Sequence, residues 1–273
     1  MCNSNNLELI MLGTGNAMVT KCYNTCFALR NGEDYFLVDA GGGNGILSQL
    51  EKAKIPFAAI RQMFVTHGHT DHLLGVIWVV RKVASMMDKG QYEGPFTIYC
   101  HAELEEMIRM FCRLMLTKKL NQWIDKQMVF VSVEDGTQAE AIGIKFTFFD
   151  IHSTKMRQYG FRAELPNGQV MVCLGDEPYN DCCQSYVVPC DWLLSEAFCL
   201  YADRDRFSPY EKHHSTVLDA GRLAQSLGVK NLVLYHTEDK TIATRKSRYT
   251  EEARSIYEGI VYVPEDLERI EIE

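Results

Sequence analysis

The chain has 273 residues, 47% of them hydrophobic, and carries 28 Lys and Arg against 36 Asp and Glu, a formal net charge of −8. That length suffices for one large core, so a single domain over 1–273 is expected. The acidic balance argues against a protein that holds long nucleic acid by neutralising its phosphates, and no run of eighteen apolar residues suggests a membrane span.

Residues 1–6 are polar and lack the basic-then-apolar order of a secretory signal, so a soluble, cytoplasmic protein is expected. Strand-like runs cover 7–12, 26–30 and 35–38, followed by a helical stretch over 45–54 and a strand over 60–66. Asn31-Gly32 between two of these runs is a hairpin signal. The glycines at 13, 15 and 41–43 suit turns rather than a nucleotide loop, because no GxGxxG opens a helix and no Walker lysine follows. Asp39, at a strand end, is expected to bond loop backbone or the neighbouring His-rich loop rather than to be a ligand.

That loop, Thr66-His67-Gly68-His69-Thr70-Asp71-His72, packs four candidate metal ligands into six residues of a chain with only eight histidines. Imidazoles favour zinc, iron, nickel or copper, and a carboxylate beside them suits a divalent ion kept open to water. Asp71 could alternatively cap the helix suggested by Leu73, Leu74, Ile77, Trp78 and Val80. Capping does not explain three histidines in the same loop, so a hydrolytic metal centre is the first expectation.

The middle of the chain predicts a strand over 96–100, a long helix over 103–120 and strands over 128–133 and 144–150. Leu104, Met107, Ile108, Phe111, Leu114 and Met115 give the helix an ordinary core-facing spacing. Strands over 159–164 and 170–174 flank Asn167-Gly168, a second hairpin signal. The last third alternates: strand 192–195, helix 215–227, strand 231–234, helix 250–257 and a terminal strand. The ten cysteines are scattered, without zinc-finger spacing even at Cys22/Cys26 or Cys182/Cys183/Cys190, and reduced core thiols are expected. The pattern suits an α/β fold with two sheets packed face to face and helices outside.

Three further candidate ligands follow strand-like runs: His152, Asp176 and His236. With these, the chain resembles the metallo-β-lactamase superfamily over essentially its full length. The resemblance implies an αββα sandwich of two mixed sheets. It also implies that His67, His69 and His152 hold one metal, that Asp71, His72 and His236 hold the other, and that Asp176 bridges them. The implied cofactors are two divalent ions, zinc first, with Mn²⁺ or Fe²⁺ as alternatives.

Leu12-Gly13-Thr14-Gly15, Tyr159-Gly160-Phe161, Gly175-Asp176, Ser195-Glu196-Ala197-Phe198 and His214-Ser215-Thr216 are similar to the tRNase Z-type phosphodiesterase branch. By that resemblance Glu196 and His214 act together near the scissile phosphate. A plainer reading makes His214 a neighbour of a helix cap at Ser215. Only eighteen residues separate Asp176 from Ser195, too few for the long arm by which tRNase Z enzymes grip tRNA, and residues 238–246 stretch the link after His236.

Two ions roughly 3.5 to 4 Å apart can share a hydroxide, which Asp71 would orient. Two dications less two aspartates and the hydroxide leave a net charge of about plus one, which suits a monoanionic phosphodiester. His214, oriented by Glu196, would protonate or stabilise the departing oxygen. Lys155, Arg157, Lys212 and Arg248 are candidates for holding phosphate, or plain surface cations.

The expected function is hydrolysis of a small, cyclic or nucleotide-type phosphodiester. The alternatives are a tRNase Z-like RNA 3′-processing endonuclease, a hydrolase of carboxylic esters, lactones or thioesters, and a non-catalytic metal-binding protein. Intact tRNA and membranes are not expected as partners, and homodimerisation stays open.

Overall fold

The computed structural model describes residues 7–273, so Cys2 and the leading residues on which the signal-peptide expectation rests lie outside the described residues. In chain order the first elements are β1 (Leu7–Gly13), β2 (Cys26–Asn31), β3 (Asp34–Val38), α1 (Gly45–Lys52), β4 (Ile60–Phe64) and α2 (Thr70–Asp88). Next come β5 (Phe96–Cys100), α3 (Ala102–Met115), α4 (Lys118–Asn121), β6 (Met128–Ser132), β7 (Gln138–Ala141), β8 (Ile144–Asp150), β9 (Tyr159–Glu164) and β10 (Val170–Cys173). The chain continues through α5 (Gln184–Val187), β11 (Trp192–Glu196), α6 (Arg204–Phe207), α7 (Val217–Leu227), β12 (Asn231–Tyr235), α8 (Ile242–Arg254), β13 (Ile260–Tyr262) and β14 (Arg269–Glu271).

These elements fall into two compact units, the first built from residues 7–13, 23–133 and 266–273, the second from 14–22 and 134–265. Each contains one mixed seven-stranded sheet, so the class is α/β as expected. In the first unit the order is β14-β1-β2-β3-β4-β5-β6. Pairing is antiparallel from β14 to β3 and parallel from β3 to β6. The second unit has the order β13-β12-β11-β10-β9-β8-β7, antiparallel from β7 to β10 and parallel from β10 to β13. Both Asn-Gly signals are hairpins. Asn31 pairs with Asp34 around Gly32, and Gly168 sits in a left-handed turn between β9 and β10.

In α/β sheets functional groups gather where parallel strands end at their carboxyl sides, because the loops there leave backbone and side chains open to ligand. Asp39 follows β3 and the His-rich loop follows β4, its parallel neighbour. In the second unit Asp176 follows β10, Glu196 ends β11 and His236 follows β12. The parallel register sets Glu196 beside Tyr235, one residue before His236.

Several elements differ from expectation. The helix predicted over 103–120 breaks at Leu116, which is extended, and restarts as the short α4. Leu104, Ile108 and Cys112 are buried in α3, but Leu114 and Met115 face solvent, so the apolar stripe is shorter than its spacing suggests. The final helix begins at Ile242 rather than near 250, so the stretched link after His236 is largely the first half of α8. The short strand β7 escapes prediction because its QAEA sequence has little β propensity.

Seven described cysteines are buried and none forms a disulfide. Burial pushes the Cys112 and Cys183 thiols up to about 12, as expected of inert core residues. Among the described residues no helix is long and apolar enough to cross a membrane.

Helix α2 approaches the loop after β3 with no room to spare. The Gly75 N–H donates to the Gly41 carbonyl at 2.8 Å, and a Cβ on Gly75 would collide with the Ala40 carbonyl. Gly75→Ala should therefore cost about 3 kcal/mol of stability, through backbone displacement at a packed crossing. Gly43→Ala, where a Cβ meets nothing within 4 Å, should stay within about 0.5 kcal/mol. Urea denaturation of the two variants measures the difference, and equal midpoints would contradict the packing argument.

Candidate metal centre

In the first unit the donor groups are arranged around Asp39. Its buried carboxylate accepts the Thr66 N–H at 2.8 Å on Oδ1, and the Thr66 hydroxyl and His72 Nδ1, each at 2.7 Å, on Oδ2. The bonds to Oδ2 decide two tautomers. A carboxylate can only accept, so His72 carries its proton on Nδ1 and presents Nε2 as a lone pair. The Thr66 hydroxyl spends its one proton on Asp39, so the His67 Nδ1 at 2.8 Å must be the donor to it, and His67 also presents Nε2.

The remaining donors of the loop sit close to those lone pairs. His67 Nε2 lies 2.9 Å from His69 Nδ1, and His72 Nε2 lies 3.5 Å from a carboxylate oxygen of Asp71. His69 rather than Asp71 is the N-cap residue of α2, and Asp71 stands in its first turn, where the helix dipole favours an anion. Donor atoms of Asp39, His67 and His72 all fall within 4.8 Å of one another. Asp39 is committed to hydrogen bonds, which makes it the residue that orients the two imidazoles, as its strand-end position suggested.

In the second unit Glu196 is fully buried at the end of β11. Its Oε1 accepts the Ser215 backbone N–H, and its Oε2 faces His214 Nδ1 at 3.6 Å. The His214 ring is stacked on Phe198 with centroids 5.1 Å apart, and lies 5.1 Å from the His236 ring. Donor atoms of Glu196, His214 and His236 lie within 4.8 Å of one another, and His236 Nε2 is 3.6 Å from Asp176 Oδ2. The cap of α7 is Thr216, in a reciprocal capping box with Asp219, so His214 stands outside the helix and Ser215 is not its cap.

Beneath these groups Tyr235 donates its hydroxyl to the Gly175 carbonyl, bracing the turn that carries Asp176. Burial above all, then Cys173 and the carboxylates of Asp176 and Glu196, push this phenol far above its ordinary range, so it stays a neutral donor. Asp39, His152 and His236 all adopt left-handed backbone, with φ of 54°, 59° and 58°. Such conformations are uncommon outside glycine and gather where a site over-determines the chain.

His67, His69, Asp71 and His72 thus come together in the first unit, and Asp176, His236, Glu196 and His214 in the second. His152 stands apart from both groups. It is exposed on the loop after β8 and belongs to no cluster of three donors among the described residues. The basic residues considered for phosphate are engaged elsewhere. Lys155 bonds the Lys212 carbonyl, Arg157 the Tyr159 hydroxyl and Lys212 the Phe207 carbonyl, while Arg248 lies 3.7 Å from Asp203.

The sequence did not point to the pocket of about 470 Å³ in the second unit, which His152 and His214 border together with Tyr179, Tyr210 and His213. The one signal was the histidine doublet 213–214. Imidazole nitrogens alternating with carboxylates suit divalent ions of the zinc, manganese or iron type, and the lone pairs fixed by Asp39 are of the kind such ions need.

A family model described as Anti-Pycsar protein Apyc1 matches residues 7–250. A Ribonuclease Z of Thermococcus sibiricus is 24% identical over 305 residues, covering 97% of this chain and 96% of its own. Among solved structures, the metallo-beta-lactamase fold protein YhfI of Bacillus subtilis superposes with a TM-score of 0.77 at 21% identity, covering 97% of this chain and 99% of that one. A diphosphatase of the PhnP family gives 0.74 at 17%, covering 98% and 97%. The chain has the metallo-β-lactamase fold.

Because Asp39 sets both tautomers, Asp39→Asn should weaken zinc binding by about 10- to 100-fold, the usual cost of losing a partner that orients ligands. Competition with a chromophoric chelator measures it. Affinity unchanged from wild type would remove Asp39 from the ligand-orienting role.

Proposed function

The chain belongs to the Anti-Pycsar protein Apyc1 family, and we propose that it is a dinuclear-metal phosphodiesterase acting on a small, cyclic or nucleotide-type phosphodiester. The proposed ligands are His67, His69, Asp71, His72, His152, Asp176 and His236, supplied by one domain over 1–273. A family model that spans both units supports treating them together. Zinc is the first candidate metal, with Mn²⁺ or Fe²⁺ next.

The observation that carries the reading is the buried Glu196–His214 pair next to His236. Cleaving a phosphodiester expels an alkoxide that needs a proton or an equivalent charge. An imidazole whose Nδ1 faces a buried carboxylate is suited to that task, because the carboxylate stabilises the charged ring and fixes its orientation. Phe198 packs flat on the same ring and restrains its tilt.

Bound divalent ions supply Lewis acidity and lower the pKa of water to about 7. The protein's own residues do the rest. Asp71 holds the proton side of the attacking water, Asp39 keeps the imidazoles of His67 and His72 oriented, and His214 delivers a proton to the leaving oxygen while Glu196 holds it in place.

RNA 3′-processing is the second reading, favoured by relatives described as Ribonuclease Z. The net charge of −8 and the short segment between Asp176 and Ser195 weigh against it, since gripping RNA relies on cationic surface. Cleavage of a pre-tRNA with a 3′ trailer would favour it over the first.

The metal-loaded protein should hydrolyse bis(p-nitrophenyl) phosphate or 3′,5′-cyclic mononucleotides, and chelation should stop it. His214→Ala should lower kcat by about 10²- to 10⁴-fold, the range of a general acid. Steady-state assays on that panel decide. Silence on every phosphodiester with metal bound, or lactone turnover that survives His214→Ala, would overturn the proposal.

A further inference from the structure

Strand β9 lies between β8 and β10 in the sheet of the second unit, and the chain leaves β8 toward His152 and β10 toward Asp176. The residue at the matching end of β9 therefore stands between two of the proposed ligands. That residue is Gln158. Asp150 is paired with Tyr159, and the next N–H along, that of Ile151, donates to the Gln158 carbonyl at 3.1 Å. On the other side Cys173 is paired with Phe161, and the same antiparallel register carried onward sets Gln158 across from Asp176.

Gln158 is 1% exposed, and its side-chain Nε2 has no hydrogen-bond partner among the described residues. A buried amide donor without an acceptor is costly, and an interior that keeps one keeps it where a bound ion or a functional arrangement completes it. Packing fixes where this amide lies. Gly175 is left-handed, with φ of 79°, and a Cβ there would collide with Gln158 Nε2, so the amide nitrogen sits against the backbone one residue before Asp176. Tyr235 donates to the Gly175 carbonyl, which already holds the backbone under Asp176. What remains to be set is the rotation of the carboxylate.

We infer that Gln158 is a positioning residue for Asp176. When the centre is loaded, its Nε2 donates to Asp176 Oδ1 and leaves Oδ2, which lies 3.6 Å from His236 Nε2, for the metal. The inference rests on the reading of Asp176 as a ligand and adds the group that orients it. A carboxylate only accepts, so of the two ends of an amide only the nitrogen serves it. A lysine or arginine in the same place would offset the anionic charge that a divalent ion needs. A neutral amide turns the carboxylate without drawing on that charge.

The test uses Gln158→Met in the full chain, which keeps the length and bulk of the side chain and removes the donor. Without metal the variant should unfold in urea at or above the wild-type midpoint, because an amide that lacks an acceptor is exchanged for apolar surface. Its affinity for zinc, by competition with a chromophoric chelator, should nevertheless fall about tenfold, the usual cost of losing a group that orients a ligand. A side chain that serves packing alone would show the opposite split, a lower midpoint with zinc affinity unchanged. The wild-type chain gives a second reading that depends on no variant: in crystals soaked in zinc, Gln158 Nε2 should stand about 2.9 Å from Asp176 Oδ1. Zinc affinity in Gln158→Met within twofold of wild type, a metal-free midpoint that falls in step with that affinity, or an Nε2 bonded to anything other than Asp176 in the loaded crystal would each overturn the inference. Loss of the phosphodiesterase reading would instead appear as silence on bis(p-nitrophenyl) phosphate with zinc bound, whatever Gln158→Met does.

Discussion

Much of this site depends on the carboxylate of Asp39. A charge taken out of water is costly unless its lone pairs are satisfied, and Asp39, only 3% exposed, is satisfied by donors from Thr66 and His72. The same bonds fix which nitrogen of His72 and, through the Thr66 hydroxyl, of His67 carries the proton. One buried charge thereby orients two imidazoles on a loop that would otherwise have wide rotamer freedom. The left-handed backbone at Asp39 is part of this arrangement, as is its N–H, which donates to the Phe64 carbonyl at the end of the neighbouring strand.

What was legible in the sequence was local or repeated. The His-rich loop is legible because its donors sit within six residues, and its place after an apolar run implied the end of a buried strand. Asp176 and His236 were findable for the same reason, each following a short apolar run that became a strand of one parallel set, whereas Glu196 came only from the resemblance. The two Asn-Gly turns carried their own conformational signal. Resemblance then joined residues that spacing alone could not.

What escaped depends on distant partners or on weak patterns. Helix α8 buries only Arg245, Tyr249 and Ala253, a single residue per turn, so its polar sequence resembled a loop over its first half. Strand β7 exists because β8 pairs with it, not because its residues favour extended backbone. Leu114 and Met115 continue an apolar spacing past the point where α3 turns away from its core. His152 followed a strand, as a ligand should, but its exposure depends on the loop it sits in. The pocket beside His214 draws on three separate segments, and Tyr210 among them looks from sequence like any surface tyrosine. The short stretch after Asp176 had suggested only what was missing, and it supplies part of that pocket.

Hydrogen bonds at Nδ1 leave the Nε2 atoms of His67 and His72 as the lone pairs a divalent ion would meet. The most direct test of the proposed metal centre is therefore an anomalous-difference map at the zinc edge from crystals soaked in zinc. The account predicts zinc on Nε2 of both His67 and His72, with His72 Nδ1 still on Asp39, and a second peak at the Asp176 and His236 donors. Zinc on the Nδ1 atoms, a single peak, or none at these residues would contradict it.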